Sequence, residues 1–115
     1  MFIKHLWSES IMTDEFVRVA STSEIPSDKM KLVQCKGQPV CLANTGGKFL
    51  AIGNRCTHLG GPLAQGKLEG QTVECPWHGS RFDLATGEVR RGPAQIPEAI
   101  YEVKVESSSI FIRPK

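Results

Sequence analysis

Four side chains in two short stretches have the types and spacing to bind a metal. The first stretch reads Cys56-Thr57-His58-Leu59-Gly60-Gly61 and the second Cys75-Pro76-Trp77-His78-Gly79-Ser80. Reduced to ligands, this is C-x-H, sixteen residues, then C-x-x-H. Two of the chain's three histidines and two of its four cysteines fall in the pattern. Two thiolates and two imidazoles suit several metals, tetrahedral zinc first among them. Zinc fingers, however, usually pair Cys with Cys and His with His, about two to five residues apart. Here each stretch offers one Cys and one His. That mixed pairing suits a binuclear iron–sulfur site better, because each stretch then gives a thiolate to one iron and an imidazole to the other.

A [2Fe-2S] core with two Cys on one iron and two His on the other is the Rieske arrangement. Charge counting shows what the histidines change. Two ferric ions, two sulfides and two thiolates cancel, so the oxidised site is neutral, whereas four thiolates would leave it a dianion. Adding an electron to a neutral site costs less, so the His pair raises the reduction potential. Each neutral imidazole also keeps an outer ring nitrogen, whose proton can be coupled to the electron.

Both stretches are loops, and the rest of the chain must hold them. Between frequent Gly and Pro lie short runs rich in Val, Ile, Leu and Phe. Strands are expected at Phe16 to Ala20, Lys31 to Cys35, Val40 to Ala43 and Lys48 to Ile52, the last two joined by the hairpin signal Asn44-Thr45-Gly46-Gly47. Leu68 and Thr72 to Glu74 flank Glu69-Gly70; Arg81 to Leu84 and Glu88 to Arg90 flank Ala85-Thr86-Gly87. Tyr101 to Val105 and Ile110 to Arg113 form a last hairpin, with Tyr101, Val103 and Val105 at the period of a half-buried strand. Only Thr22 to Asp28 has room for a helical turn. The fold class is therefore all-β, a sandwich or barrel.

Composition narrows the function. A chain of 115 residues, 40% hydrophobic, is one domain's worth of protein, too short for an electron-transfer domain joined to a full catalytic domain. Net charge is +2 with 23% charged residues, which suggests neither disorder nor a nucleic-acid binder. No apolar run approaches the roughly 18 residues of a membrane span. Phe2, Ile3, Leu6 and Trp7 are interrupted by polar residues, so no signal-peptide core is expected. Residues 1–12 read as an N-terminal extension, with Met12 a candidate start. Four cysteines could form two disulfides. A secreted scaffold would usually be shorter, richer in cysteine and preceded by a signal, so a reducing, cytoplasmic compartment is expected. There Cys35 and Cys41, set in apolar strands, read as buried free thiols. His5 is left without a role.

The chain resembles a Rieske-type ferredoxin from about Phe16 to its end. The match runs through Cys56-Thr57-His58-Leu59-Gly60, through Cys75-Pro76-Trp77-His78-Gly79-Ser80-Arg81-Phe82-Asp83, and on to Thr86-Gly87 and Gly92-Pro93-Ala94. The resemblance implies one Rieske [2Fe-2S] cluster held by Cys56, His58, Cys75 and His78. It implies stacked antiparallel sheets over residues 13–115, with a cluster-binding subdomain inserted at about residues 54–92. Pro93 would lie in a loop covering the cluster. Gly60 and Gly61 would approach it closely and offer amides to its sulfurs. Ser80 stands where high-potential relatives carry a serine donor, and Phe82 where they carry a tyrosine, so a potential low in the Rieske span is expected. Leu59, Pro62, Trp77 and Pro93 would surround the site with apolar bulk, Leu59 and Trp77 as a docking ring. The charged residues of the subdomain nearly balance, as a mixed solvated surface would.

The implied function is one-electron transport, from a flavin-dependent NAD(P)H reductase to a terminal oxygenase. An oxygenase in its own right needs a second iron held by two His and a carboxylate; with His58 and His78 used, only His5 is left. A respiratory subunit would carry two further loop cysteines, where this chain has Gly61 and Trp77. The small subunit of an NADH-dependent nitrite reductase is the alternative. No nucleic acid or membrane partner is implied, and a monomer is expected.

Overall fold

The computed structural model describes residues 15–115. The expected N-terminal extension, with His5 and Met12, lies outside the described residues. Among these residues ten strands form two antiparallel sheets. The larger is built from β1 (Val17–Ser21), β2 (Lys29–Cys35), β3 (Gln38–Thr45), β4 (Lys48–Gly53), β9 (Ile100–Glu106) and β10 (Ser109–Pro114), in the order β1-β10-β9-β4-β3-β2. The smaller is a meander of β5 (Lys67–Glu69), β6 (Thr72–Glu74), β7 (Arg81–Asp83) and β8 (Val89–Arg91).

The all-β expectation holds, with boundaries moved by at most two residues. The helical turn expected after β1 is a 3-10 turn at Thr22–Glu24, where Glu24 reaches back to accept the Ser21 N–H at 2.9 Å. A second 3-10 turn at Leu63–Gln65 had no sequence signal. It buries Leu63 fully beneath the first loop.

Two hydrophobic cores account for the strand pattern. One lies within the large sheet and contains Ala20, Ile25, Val33, Cys35, Val40, Leu42, Ala51, Ile110 and Ile112. The other lies under the small sheet and contains Cys41, Ala43, Ile52, Leu63, Val73, Phe82, Leu84 and Ala94 together with Cys56 and Cys75. Val40 to Ala43 is therefore apolar without alternation because its two faces serve different cores. In β9 the alternation holds for Tyr101 and Val103, which pack on the first core, while Val105 is exposed. Cys35 and Cys41 are buried free thiols, as expected, and burial pushes Cys41 up to about 12.

The small sheet and the end of β4 position the site. The Cys56 loop leaves β4 through Asn54 and Arg55, and the Cys75 loop joins β6 to β7. A cysteine from each loop reaches into the second core.

Candidate metal centre

The two loops share one backbone plan. In each, the cysteine N–H donates to the carbonyl five residues on: Cys56 to Gly61 at 2.8 Å and Cys75 to Ser80 at 2.8 Å. In each, a glycine donates back to the cysteine carbonyl: Gly60 to Cys56 at 2.7 Å and Gly79 to Cys75 at 3.1 Å. These glycines have φ of 84° and 80°, left-handed backbone that a side chain disfavours. The result is a pair of tight turns whose cysteines point inward, each only 3% exposed.

The histidines sit at the rim. His58 is half-buried and His78 exposed. Their rings meet edge to face, centroids 5.2 Å apart at 81°. The offset of one residue, His at the second position after Cys56 but at the third after Cys75, thus still brings the imidazoles together. Inside, burial pushes the Cys56 thiol up, and the Cys75 thiol within hydrogen-bonding reach pushes the same way. The His58 and Leu59 amides donate to Cys56 and pull it down. Two adjoining buried thiols of this kind are suited to a metal, whose charge would hold both as thiolates.

The amide donors differ from those expected. The Gly60 N–H is given to the Cys56 carbonyl, so it is not available to a sulfur. Gly61 is buried for a steric reason. A Cβ there would stand 2.6 Å from the Cys75 sulfur and 3.1 Å from the Trp77 ring. The close approach it permits is therefore between the two loops.

Ser80 is fully buried, and its hydroxyl accepts the Ala94 N–H at 2.9 Å. That bond ties the Gly92-Pro93-Ala94 segment to the second loop and leaves the hydroxyl proton to be donated elsewhere. Phe82 is fully buried beneath both cysteines' core. Leu59 and Trp77 are 60% and 55% exposed, and Pro93 is exposed too. Only Pro62 of the expected apolar surround is half-buried.

Four neighbours of the site escaped the sequence reading. Asn54 holds the start of the first loop: its carbonyl accepts the Leu63 N–H and its side-chain oxygen the Ala64 N–H, both at 2.8 Å. Thr57 donates its hydroxyl to the Ile96 carbonyl at 2.5 Å. Ile96 itself is 63% exposed beside His58 and Pro93, extending the apolar rim. Glu98 accepts the Thr57 N–H and is buried. Asparagine beside a cysteine loop is a readable anchoring signal; a glutamate just before a strand is not.

The subdomain's charges are largely paired among themselves. Arg81 bridges Glu69 at 3.0 Å and Glu74 at 2.8 Å. Arg90 bridges Asp83 at 3.1 Å and Glu88 at 3.5 Å. These contacts are partly exposed and contribute little stability each. Among the described residues Arg55, Lys67 and Arg91 have no ion pair.

The donor set fits a binuclear cluster better than a single ion. Two thiols adjoin inside and two imidazoles adjoin outside.

Comparison with known proteins agrees. A family model described as the Rieske [2Fe-2S] domain matches residues 15–105. The chain is 31% identical over 102 residues to the ferredoxin component of the 2,4-dinitrotoluene dioxygenase system of Burkholderia sp. (strain RASC), covering 89% of this chain and 98% of that protein. It is 32% identical over 95 residues to Apoptosis-inducing factor 3 of Homo sapiens, covering 83% of this chain but only 16% of that much longer protein. Among solved structures, it matches a chain in the complex of reduced oxygenase and oxidised ferredoxin in carbazole 1,9a-dioxygenase. That match has a TM-score of 0.82 at 28% identity, covering 87% of this chain and 95% of the other.

Proposed function

This chain belongs to the Rieske [2Fe-2S] domain family, and from that premise we propose that it is the one-electron carrier of an oxygenase system. It takes electrons from a flavin-dependent NAD(P)H reductase and delivers them to a terminal oxygenase. Its cofactor is one Rieske-type [2Fe-2S] cluster, which supplies reversible one-electron chemistry. Cys56 and Cys75 would hold the inner iron, and His58 and His78 the outer. The observation that carries this reading is the division of the four donors into a buried thiol pair and a rim imidazole pair.

The rim is where a partner meets the electron. Leu59, Trp77 and Ile96 stand exposed around the imidazoles, and apolar residues of this kind dock transient partners. A solved complex of an oxygenase with a ferredoxin shows that a protein of similar fold meets an oxygenase directly. The nitrite reductase alternative has no such support, since the relatives matched over nearly their whole length are ferredoxin components of dioxygenase systems. The cluster-binding part is residues 54–92 within a domain of residues 13–115, and the working compartment is the cytoplasm. No helix among the described residues is long and apolar enough to cross a membrane.

The test uses purified, iron-loaded protein. Two irons and two labile sulfides per chain are expected, with electron transfer to a Rieske oxygenase and no conversion of organic substrate by the carrier alone. Leu59→Glu is expected to slow that transfer while leaving the cluster spectrum intact. One zinc in place of iron, or hydroxylation by the carrier without a partner, would overturn the reading.

A further inference from the structure

Glu98 is a buried acid outside the ligand set. It lies between the Pro93 segment and β9, 7% exposed, with its N–H donated to the Gly87 carbonyl at 2.9 Å. Its carboxylate accepts the N–H of Thr57, the residue between Cys56 and His58. The other carboxylate oxygen, Oε2, is buried without a hydrogen-bond partner. A charge so placed is costly, and the cost vanishes when the group holds a proton. Glu98 also lines a cleft of about 170 Å³ with Gln38, Arg55 and Tyr101, which gives a proton a way in.

We propose that Glu98 is the redox-linked proton site of this carrier, taking up a proton as the cluster is reduced and releasing it on reoxidation. The step balances. One electron from the reductase takes one iron from ferric to ferrous, and one proton from water turns the Glu98 carboxylate into a carboxylic acid. No net charge is added to the site. The inference rests on the cluster reading above.

The surroundings favour Glu98 over its neighbours. Burial sets its proton affinity near neutrality, at about 7, against a single opposing bond from Thr57. Facing it from β3 is the Cys41 thiol, pushed up to about 12, and from β9 the Tyr101 phenol, also pushed up by burial. Both stay neutral through the physiological range. Arg55 across the cleft is a permanent cation. Glu88, beside Gly87, is paired with Arg90. The ligand loop therefore carries, on the Thr57 amide, an acid poised to respond to charge on the cluster. Linkage makes the response reciprocal: whatever reduction does to the proton affinity of Glu98, protonation does to the electron affinity of the cluster.

The test is protein-film voltammetry of the loaded protein across about pH 5 to 9. The midpoint of the wild type is expected to fall between two plateaus as pH rises. The drop is about 59 mV for each tenfold difference in Glu98 proton affinity between the oxidised and reduced states. Glu98→Gln, which keeps the acceptor for Thr57, is expected to be flat over that interval. A flat wild type, or an unchanged slope in Glu98→Gln, would overturn the proposal. Iron, sulfide and the visible spectrum are measured first, so that a wild type without a cluster counts against the family function and not against Glu98. If Glu98→Gln fails to load, infrared difference spectra of the wild type labelled with ¹³C-glutamate decide the matter. A protonated carboxyl band growing on reduction supports the site, and its absence overturns it.

Discussion

The Cys56 loop and the Cys75 loop have the same backbone turn and different tethers. Both close through the same pair of bonds between cysteine and the residues four and five positions on. Outside that turn they diverge. The first loop is pinned by Asn54, by the Thr57 hydroxyl and by Glu98. The second is pinned by the buried Ser80 hydroxyl. The repeated turn fixes where the thiols point, and the unlike tethers decide what each loop feels. The difference teaches that ligand placement and electronic tuning are separable in this protein, because different residues carry them.

The largest way to break the comparison is to remove a thiol. Cys56→Ala and Cys75→Ala are expected to lose both irons equally, since the two turns are equivalent; iron analysis after reconstitution checks this. A variant that keeps its cluster would show that the turns are not equivalent.

Next comes Glu98, which belongs to the first loop alone. Its folded-state affinity is raised from 4.5 to about 7. The proton it prefers therefore stabilises the fold fully below the unfolded value, and that stability is lost as pH rises through about 7. By the usual conversion the loss amounts to about 3 kcal/mol. Denaturant titrations of wild type and Glu98→Gln should diverge between about pH 4.5 and 7.5, with the wild type falling behind as pH rises. Parallel curves would refute the assignment.

The adjacent glycines sharpen the contrast between loop contact and loop shape. Gly61→Ala forces a methyl onto the Cys75 sulfur and the Trp77 ring and is expected to cost about 1–3 kcal/mol with poor cluster retention. Gly60→Ala meets open space and is expected to cost only the left-handed backbone, about 1 kcal/mol. Thermal unfolding of the two loaded variants ranks them.

The tethers themselves form a smaller test. Ser80→Ala orphans a buried Ala94 amide and is expected to cost about 1–2 kcal/mol, against about 0.5 kcal/mol for Thr57→Val at a half-buried position. Urea unfolding midpoints distinguish the two. The smallest effect expected is electronic. Phe82→Tyr adds a hydroxyl under the second loop, and if it reaches a sulfur the midpoint rises. The wild type is expected below about 0 mV in a Rieske span of about −150 to +300 mV, and voltammetry at one pH reads both values. A downward shift would show that Phe82 acts only as packing.

Much of this was legible in the sequence because it depends on local chemistry. Cys, His and Gly at fixed offsets specify a turn and a donor set without reference to the rest of the chain, and the hairpin signals at Asn44-Thr45-Gly46-Gly47 and Ala85-Thr86-Gly87 specify their strands. What was not legible arises from contacts distant in sequence. Thr57 finds Ile96 across 39 positions and Ser80 finds Ala94 across 14. Nothing local to Glu98, an acid shortly before a strand, marks it as buried. Only the packing of β3, β4 and β9 around it makes it a buried one. The Gly60 amide was misassigned because the turn that consumes it is visible only when the loop has closed.

The strand β3, with a core on each side, faces a problem of registration. Sliding it by one residue would exchange its two faces, and since both are apolar, hydrophobicity alone would not object. Volume objects instead. Toward the large sheet's core, Leu42 lies opposite Ala51; toward the cluster side, Cys41 lies opposite Ile52. Each facing pair joins one bulky and one slight side chain, with the bulk on opposite strands in the two cores. A slip one way would set Leu42 beside Ile52 and Cys41 beside Gly53, and a slip the other way Leu42 beside Leu50 and Cys41 beside Ala51, either one crowding one core and hollowing the other. The alignment of the strand beneath the cluster is thus enforced by a size code written across two neighbours.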